Sequence, residues 1–153
     1  MRNIGLIGLA GSGKDTAAEA LYKLGYKRVS FAQKLKYLAG YFGWDGFKDA
    51  RGRALLQDLG MAARRYNPNH WIEELHSICD RKRFLVYTDV RFQNEADYVR
   101  EQGGIVVRIV RPGQIAENHE SELKQSEVAA DMEIVNDGSI EDLHNKIRAI
   151  LTK

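Results

Sequence analysis

The chain has 153 residues, of which 44% are hydrophobic and 29% charged, and its formal net charge is +2. This length suits one domain with a hydrophobic core, and no apolar stretch approaches the length of a transmembrane helix. The weak charge without a basic stripe argues against a dedicated nucleic-acid or membrane binder. Because Cys79 is the single cysteine, no internal disulfide is expected, which is typical of a reducing compartment. We expect a cytoplasmic protein (host cytoplasm if viral), since the first predicted strand leaves no room for a signal peptide.

Segments with a strand pattern alternate with amphipathic segments that have a helical pattern along the first half of the chain. The predicted elements are a strand (3–8), a helix (14–24), a strand (27–30) and helices at 33–42, around 55–63 and at about 67–80. The last of these helices is predicted to have Asn67 as its cap and Pro68 as its first residue.

The second half continues the alternation, with strands at 84–87, 105–110 and 133–135 and a helix at 93–102. A final helix is predicted after Ser139, which forms a capping box with Asp142. The polar segment 112–127 has no strong period and is predicted to be mobile. Strands that alternate with helices predict an α/β fold with a mostly parallel sheet, covered by helices on both faces.

A glycine-rich turn joins the first strand to the first helix, the context of a phosphate-binding loop. Its glycines let backbone N–H groups face inward, the helix dipole attracts phosphate, and Lys14 places an ammonium on the β- and γ-phosphates of a nucleotide. The predicted nucleotide-binding residues in this loop are Gly8, Gly11, Ser12, Gly13, Lys14, Asp15 and Thr16.

The loop departs from the usual pattern, in which Ser or Thr directly follows the lysine as a magnesium ligand. Asp15 stands there and Thr16 comes next, in a Gly-x-Gly-Lys-x-Thr form that resembles nucleoside monophosphate kinases of the adenylate kinase type. Thr16 is a candidate for the α-phosphate or the magnesium shell. Asp15 either holds a magnesium-bound water or stabilises the first helical turn through the helix dipole.

Polar residues follow the later strands, and ligands of open α/β sheets bind at these carboxyl ends. Asp89 could hold the magnesium shell or accept a proton from the attacking oxygen, and Arg91 could grip a phosphate bidentately. Arg111 lies at a strand exit, where transition-state charge develops. Arg108 lies inside an apolar strand and needs a partner, either structural or a ligand phosphate.

Weaker candidates occur elsewhere in the chain. Lys36 either meets an acceptor phosphate or is a solvated lysine, and Arg65 either turns to that phosphate or is surface charge near a helix end. A metal site at His119 is weakly supported, because no second histidine or cysteine stands at ligand spacing. The stretch Asn136-Asp137-Gly138 is a turn by default, although in P-loop kinases this loop also lies near the donor base.

In their order and spacing, these motifs resemble the phage-type deoxynucleoside monophosphate kinases over nearly the whole chain. After the glycine-rich loop, the most diagnostic motif is Asp-Val-Arg-Phe-x-Asn-Glu, which begins at Asp89. The other matching residues are Ser30-Phe31-Ala32 with Lys36, Leu55-Leu56-Gln57 with Leu59-Gly60, Trp71, Arg108 and Arg111, and His119 with Ser121-Glu122.

The resemblance implies a three-layer P-loop fold with a five-stranded sheet in the order 2-3-1-4-5. It implies one domain (1–153) with an acceptor-binding helical region at about 31–80 and a short lid at about 112–127. It further implies ATP-dependent, magnesium-assisted phosphorylation of deoxynucleoside 5′-monophosphates. By this resemblance the catalytic candidates are Lys14, Asp89, Arg91, Arg108 and Arg111. The metal candidates are Asp15, Thr16 and Asp89, and the donor-nucleotide site gains Asn136, Asp137 and Gly138. The acceptor candidates are Ser30, Phe31, Lys36, Arg65, Trp71 and Arg91.

Three departures from the family pattern concern the acceptor region and the lid. Many relatives carry Gly-Thr-Glu where this chain has Gly60-Met61-Ala62, and often an acid at the position of Gln33. The segment after Arg111 contains no arginine, unlike longer adenylate kinase lids. Either Arg108 and Arg111 supply the arginines that a longer lid would provide, or the lid closes in a different way.

Three alternatives stay open at this level. The same scaffold serves kinases of dephospho-coenzyme A or phosphomevalonate. A nucleotide-dependent switch is disfavoured because Asn145-Lys146 lacks the aspartate of a guanine-recognition motif. A kinase of polynucleotide ends is disfavoured by the absent basic stripe. The sequence leaves open whether two copies form a homodimer.

Overall fold

The computed structural model describes residues 1–79, 83–115 and 120–152. The chain divides into two compact units, of which the first comprises Met1–Val29 with Asp80–Lys153 and the second Ser30–Cys79.

The first unit is built on a five-stranded sheet in the order β2-β3-β1-β4-β5. All four strand pairs are parallel, and the register places Ile7 of the first strand beside Arg108. This confirms the predicted strand order. The strands are β1 (Ile4–Ile7), β2 (Lys27–Val29), β3 (Leu85–Tyr87), β4 (Ile105–Val110) and β5 (Met132–Val135).

Helices connect the strands and form the second unit. They are α1 (Lys14–Lys23), α2 (Gln33–Tyr41), α3 (Ala50–Tyr66), α4 (His70–Ile78), α5 (Gln93–Glu101), α6 (Glu120–Glu127) and α7 (Ile140–Ile150). In the described part of the chain, none of the helices has both the length and the apolar character needed to span a bilayer.

The two faces of the sheet carry different helices, because successive residues of a strand point to opposite faces. Ile4 and Leu6 belong to a buried apolar cluster with residues of α1 and α7. Gly5, between them, faces α5, since a Cβ there would lie 3.2 Å from Val99. The sheet is therefore the middle layer of three.

The second unit is a group of three helices, α2, α3 and α4. Leu35, Trp71 and Leu75 are buried within it, and Trp71 Nε1 donates a hydrogen bond of 3.1 Å to the Gly60 carbonyl. The predicted start of α4 at 67–68 is wrong, because the helix begins at His70. Asn67 Oδ1 instead accepts from the Asn69 N–H at 3.0 Å, which makes a turn before the helix.

The segment 112–127, in which the sequence showed no strong period, contains α6. Its helical period was hidden because Glu122 and Gln125, two of the residues that it buries, are polar. The buried residue that follows, Val128, continues the same three-residue spacing. A buried side made of polar residues gives no hydropathy signal, so the sequence did not indicate the helix at 120–127. That the segment is mobile stays a prediction.

Candidate active site

The loops that carry the predicted site residues of the first unit all follow the carboxyl ends of parallel strands. The glycine-rich loop follows β1, Asp89 and Arg91 follow β3, Arg111 follows β4, and Asn136 follows β5. A hydrogen bond of 3.2 Å from the Val90 N–H to the Leu6 carbonyl joins the loop after β3 to the neighbouring strand. Because the strands are parallel, these loops lie at one edge of the sheet.

The glycine-rich loop has the backbone of a phosphate-binding loop. Gly11 and Gly13 have φ angles of 76° and 106°, a region that residues with a side chain rarely adopt. Gly13 caps α1 and offers no side-chain acceptor, so no capping side chain satisfies the first N–H groups of the helix. Within the described residues, the buried Ser12 Oγ has no hydrogen-bond partner. This combination fits a site for a bound anion.

Lys14 is folded back onto the loop. Its ammonium donates to the carbonyl of Gly8 and, at 2.7 Å, to that of Leu9. The pKa of Lys14 is lowered to about 8, mainly by burial and next by the nearby Arg91 guanidinium, while the carboxylates of Glu122, Asp15 and Asp89 act in the opposite direction. The predicted residues Lys14, Arg91 and Asp89 are thus near neighbours that share one electrostatic environment.

The last residue of the Asp-Val-Arg-Phe-x-Asn-Glu motif, Glu95, caps the backbone at the start of α5. Glu95 is only 2% exposed, and its carboxylate accepts from the N–H groups of Arg91 at 2.8 Å and Phe92 at 3.3 Å. These bonds satisfy donors at the start of α5, where a helix lacks internal partners. Glu95 therefore fixes the backbone from which the Arg91 side chain projects.

Arg91 and Arg108 both contact the α6 segment, through different ends of it. Arg91 Nη1 lies 3.3 Å from Glu122 Oε1. Arg108 donates to the carbonyls of Val128 at 2.5 Å and Gln125 at 3.4 Å. Of the two partners left open by the sequence for Arg108, the structure supplies the structural one, and its catalytic role stays a prediction.

A cavity of about 190 Å³ lies between the glycine-rich loop, the end of β4 and α6, and Arg108, Arg111, Gln114 and Gln125 are among its lining residues. Arg111 lies at the strand exit, as predicted, and it is exposed. Gln114 Nε2 donates to the Ala10 carbonyl at 2.7 Å. The segment that follows β4 thus reaches the phosphate-binding loop directly.

The loop after β5 also supports the glycine-rich loop. Asn136 Nδ2 donates to the Ser12 carbonyl at 2.9 Å. Asp137 forms an ion pair of 2.8 Å with Lys146, and the hydrogen bond from Lys146 lowers the pKa of Asp137. Gly138 lies close to Asp142, which forms the predicted capping box with Ser139. A role of this loop at the donor base stays a prediction.

The candidate metal ligands differ in their exposure to solvent. Asp15 is exposed and forms an ion pair of 3.2 Å with Arg28, while Thr16 and Asp89 are partly buried. Among the residues that the structure describes, no group of three or more His, Cys, Asp or Glu could hold a metal ion. His119 lies outside the described residues.

The predicted acceptor residues other than Arg91 all belong to the second unit, which begins at Ser30. Phe31 and Trp71 are buried, Ser30 and Lys36 are partly buried, and Arg65 is exposed. The Ser30 carbonyl accepts from the Gln33 N–H at 3.1 Å. Acceptor binding by these residues stays a prediction.

Sequence reasoning missed the contacts that organise the site. The sequence did not indicate that Gln114 contacts Ala10, that Glu122 pairs with Arg91, or that Asn136 contacts Ser12. Only the resemblance singled out Glu122, as part of a matching motif. No local pattern identifies these residues, because their partners are distant in the chain.

Comparison with known proteins identifies the family. The model of the family described as deoxynucleotide monophosphate kinase matches residues 52–147. The chain belongs to this family. The match begins after the glycine-rich loop, so the geometry of that loop is independent support for phosphate binding.

Viral relatives agree with this assignment. A protein of Acanthamoeba polyphaga mimivirus, provisionally named a deoxynucleotide monophosphate kinase, is 31% identical over 94% of this chain and 93% of its own length. The deoxynucleotide monophosphate kinase of Enterobacteria phage T4 is 30% identical over 65% of this chain but only 44% of its own length. The kinase described here thus spans less than half of the phage enzyme.

Solved structures confirm the fold. Shikimate kinase from Aquifex aeolicus superposes with a TM-score of 0.56 at 17% identity, and covers 99% of this chain and 96% of its own. Shikimate kinase from Acinetobacter baumannii has the same TM-score at 21% identity, and the alignment covers 99% of this chain and 93% of that one. At this identity the likeness concerns the P-loop kinase fold alone.

Proposed function

We propose that this kinase transfers the γ-phosphoryl group of ATP to a deoxynucleoside 5′-monophosphate. The observation that carries the proposal is the proximity of Lys14, in the phosphate-binding loop, to Arg91 after β3. Two cations at this edge of the sheet suit a reaction between two phosphate groups. Family membership and the mimivirus relative support a deoxynucleotide as the acceptor.

The reaction needs positioning and charge neutralisation more than covalent participation by the protein. An oxygen of the acceptor phosphate attacks the γ-phosphorus, the bond to the β–γ bridging oxygen breaks, and ADP leaves with the electron pair. In this proposal the glycine-rich loop and Lys14 bind the donor phosphates. Arg91 orients the acceptor phosphate, and Arg111 with Arg108 meets charge on the transferring group.

The donor set also fits magnesium, which proteins commonly bind through one or two side chains while substrate phosphates supply other ligands. We propose Thr16 and Asp89 as its protein ligands, and keep Asp15 as a candidate despite its ion pair with Arg28. When bound, the ion neutralises charge on the β- and γ-phosphates.

The remaining assignments of this proposal follow the family resemblance. Ser30, Phe31, Lys36, Arg65 and Trp71 are the proposed acceptor residues, and 112–127 is the proposed lid. Lid closure would exclude water and so suppress wasteful hydrolysis of ATP. We also propose that the enzyme is cytoplasmic, in the host cell if it is viral.

Direct assay of the acceptors tests the proposed function. Purified protein is incubated with ATP, magnesium and each deoxy- or ribonucleoside monophosphate, and ADP and nucleoside diphosphate are quantified. We expect rapid, stoichiometric formation of both products with at least one deoxynucleotide. Folded, ATP-binding protein that forms no ADP with any of these acceptors would contradict the proposal. Dephospho-coenzyme A and phosphomevalonate serve as the competing acceptors.

A further inference from the structure

Glu122 of α6 is a buried acid to which no role has been given so far. Its side chain is 6% exposed, and Oε1 lies 3.3 Å from Arg91 Nη1. The same carboxylate raises the pKa of Lys14, which places it near the lysine as well. Glu122 therefore contributes a negative charge to a site whose proposed ligands are themselves anions.

A buried carboxylate is costly unless charged partners and hydrogen bonds compensate its lost hydration. The Arg91 guanidinium supplies such a partner, and the planar fork of arginine makes that contact directional. The Arg91 side chain is 38% exposed, so solvent alone would let it adopt several rotamers. Its pairing with Glu122 restricts this freedom.

The position of Glu122 is itself fixed, because the other end of α6 is anchored. Arg108 donates to the carbonyls of Gln125 and Val128. Beyond the helix, the Ala129 N–H donates to Gln93 Oε1 at 3.1 Å, and Arg100 donates to the Ala129 carbonyl. The carboxylate is thus presented to Arg91 from an anchored helix.

We propose that Glu122 is a positioning residue, whose carboxylate holds the Arg91 guanidinium in the orientation that binds the acceptor phosphate. This inference rests on the proposed function, since it assigns Arg91 to the acceptor. The inference predicts different effects on the two substrates. Loss of the Glu122 carboxylate disturbs binding of the acceptor. Donor binding at the glycine-rich loop is compared well below the Lys14 pKa of about 8, where the lysine keeps its proton without this carboxylate. Under that condition the removal of a negative charge near Lys14 does not disfavour a bound phosphate.

The test compares Glu122→Gln with Glu127→Gln. Both changes remove one carboxylate from α6, but Glu127 is exposed, and within the described part of the chain its ion pair is with Lys124 of the same helix, at 3.6 Å. Dissociation constants for ATP and for each deoxynucleoside monophosphate are measured by calorimetry, and KM and kcat by turnover. Glu122→Asp, which keeps the charge on a shorter side chain, is the rescue variant.

We expect Glu122→Gln to weaken acceptor binding and raise the acceptor KM by about ten-fold, with ATP binding preserved. Glu122→Asp should recover part of the loss, and Glu127→Gln should show no loss that is selective for the acceptor. An equal loss for both substrates, which a merely structural role predicts, would overturn the inference, as would unchanged acceptor binding. If Glu122→Gln does not fold, Glu122→Asp must still show the acceptor-selective loss. An unmodified enzyme that binds the acceptor but forms no diphosphate would contradict the proposed function alone.

Discussion

The side-chain amide of Asn136 donates a hydrogen bond of 2.9 Å to the Ser12 carbonyl, and so joins the loop after the last strand to the loop after the first. Besides its φ of 106°, the contact with Asn136 disfavours any side chain at Gly13. A Cβ at Gly13 would lie 2.5 Å from the same Asn136 nitrogen. The phosphate-binding loop is therefore supported from outside as well as by its own conformation.

Asn136→Ala removes this support and should weaken donor binding. We expect the KM for ATP to rise about five- to ten-fold, because the loop must be ordered when phosphate binds, while kcat changes less. Steady-state kinetics with ATP as the varied substrate measure the effect. Asn145→Ala, an exposed asparagine on α7, is the matched control and should leave the KM unaltered. An unaltered KM in Asn136→Ala would show that the loop is rigid without the amide.

Lys14→Ala should lower turnover by at least about 100-fold, because the ammonium neutralises charge that develops on the transferring phosphoryl group. The fold should persist, since a half-buried charge with a lowered pKa is a cost to the folded state. Turnover and a thermal unfolding curve are measured together. Lys23→Ala, at an exposed position of α1, controls for loss of a lysine from the same helix. Near-normal turnover in Lys14→Ala would remove the loop from the proposed mechanism.

The Lys14 pKa of about 8 predicts that nucleotide binding depends on pH. The free protein loses this proton as pH rises through about 8, whereas bound phosphates favour the charged ammonium. Affinity for ADP should therefore fall between pH 7 and 9, and binding at pH 8.5 should take up a proton. Calorimetry in two buffers of different ionisation enthalpy measures that uptake.

Lys14→Arg should abolish the proton uptake, since arginine stays protonated in this range. The sign for folding follows from the same lowered pKa. An unfolded lysine retains its proton up to about 10.5, so Lys14 makes the protein more stable as pH rises from about 8 toward that value. Equal proton uptake in both proteins would assign it to another group.

The parallel sheet and the edge that carries the site were predictable because both follow from alternating strands and helices. The strand order was predictable only through the family resemblance, which implied it. A parallel sheet brings every strand exit to one edge, so Asp89, Arg91 and Arg111 could be grouped before any contact was known. The start of α4 was not predictable in the same way. An asparagine before a proline suits a helix cap and a turn alike, and Asn67 makes the turn.

The contacts inside the site could not be predicted, because their partners are far apart in sequence. The pair Glu122–Arg91 spans 31 residues, Gln114–Ala10 spans 104 and Asn136–Ser12 spans 124. Periodicity and motif spacing report only on neighbours within an element. Such contacts depend on how the loops pack after the sheet has formed, which a single sequence does not encode in a local pattern.

Because Arg108 lies inside an apolar strand, the sequence left open whether its role is structural or catalytic, and a substitution can distinguish the two. Its guanidinium satisfies the carbonyls of Gln125 and Val128 at the end of α6. Arg108→Met keeps much of the side-chain volume but leaves both carbonyls without these donors. We expect the free energy of unfolding to fall by about 1–3 kcal/mol, measured by denaturant titration.

Hydrogen exchange separates the two roles in the same variant. If Arg108 is mainly structural, amides of 120–128 should exchange faster in Arg108→Met, while those of the central strand β1 should keep their order of protection. Arg111→Met is the matched control, because Arg111 is exposed at the strand exit. It should lower kcat without altering exchange in 120–128, since its proposed contact is with the transferring group alone. Unaltered exchange in Arg108→Met together with a large loss of kcat would instead assign Arg108 to the reaction.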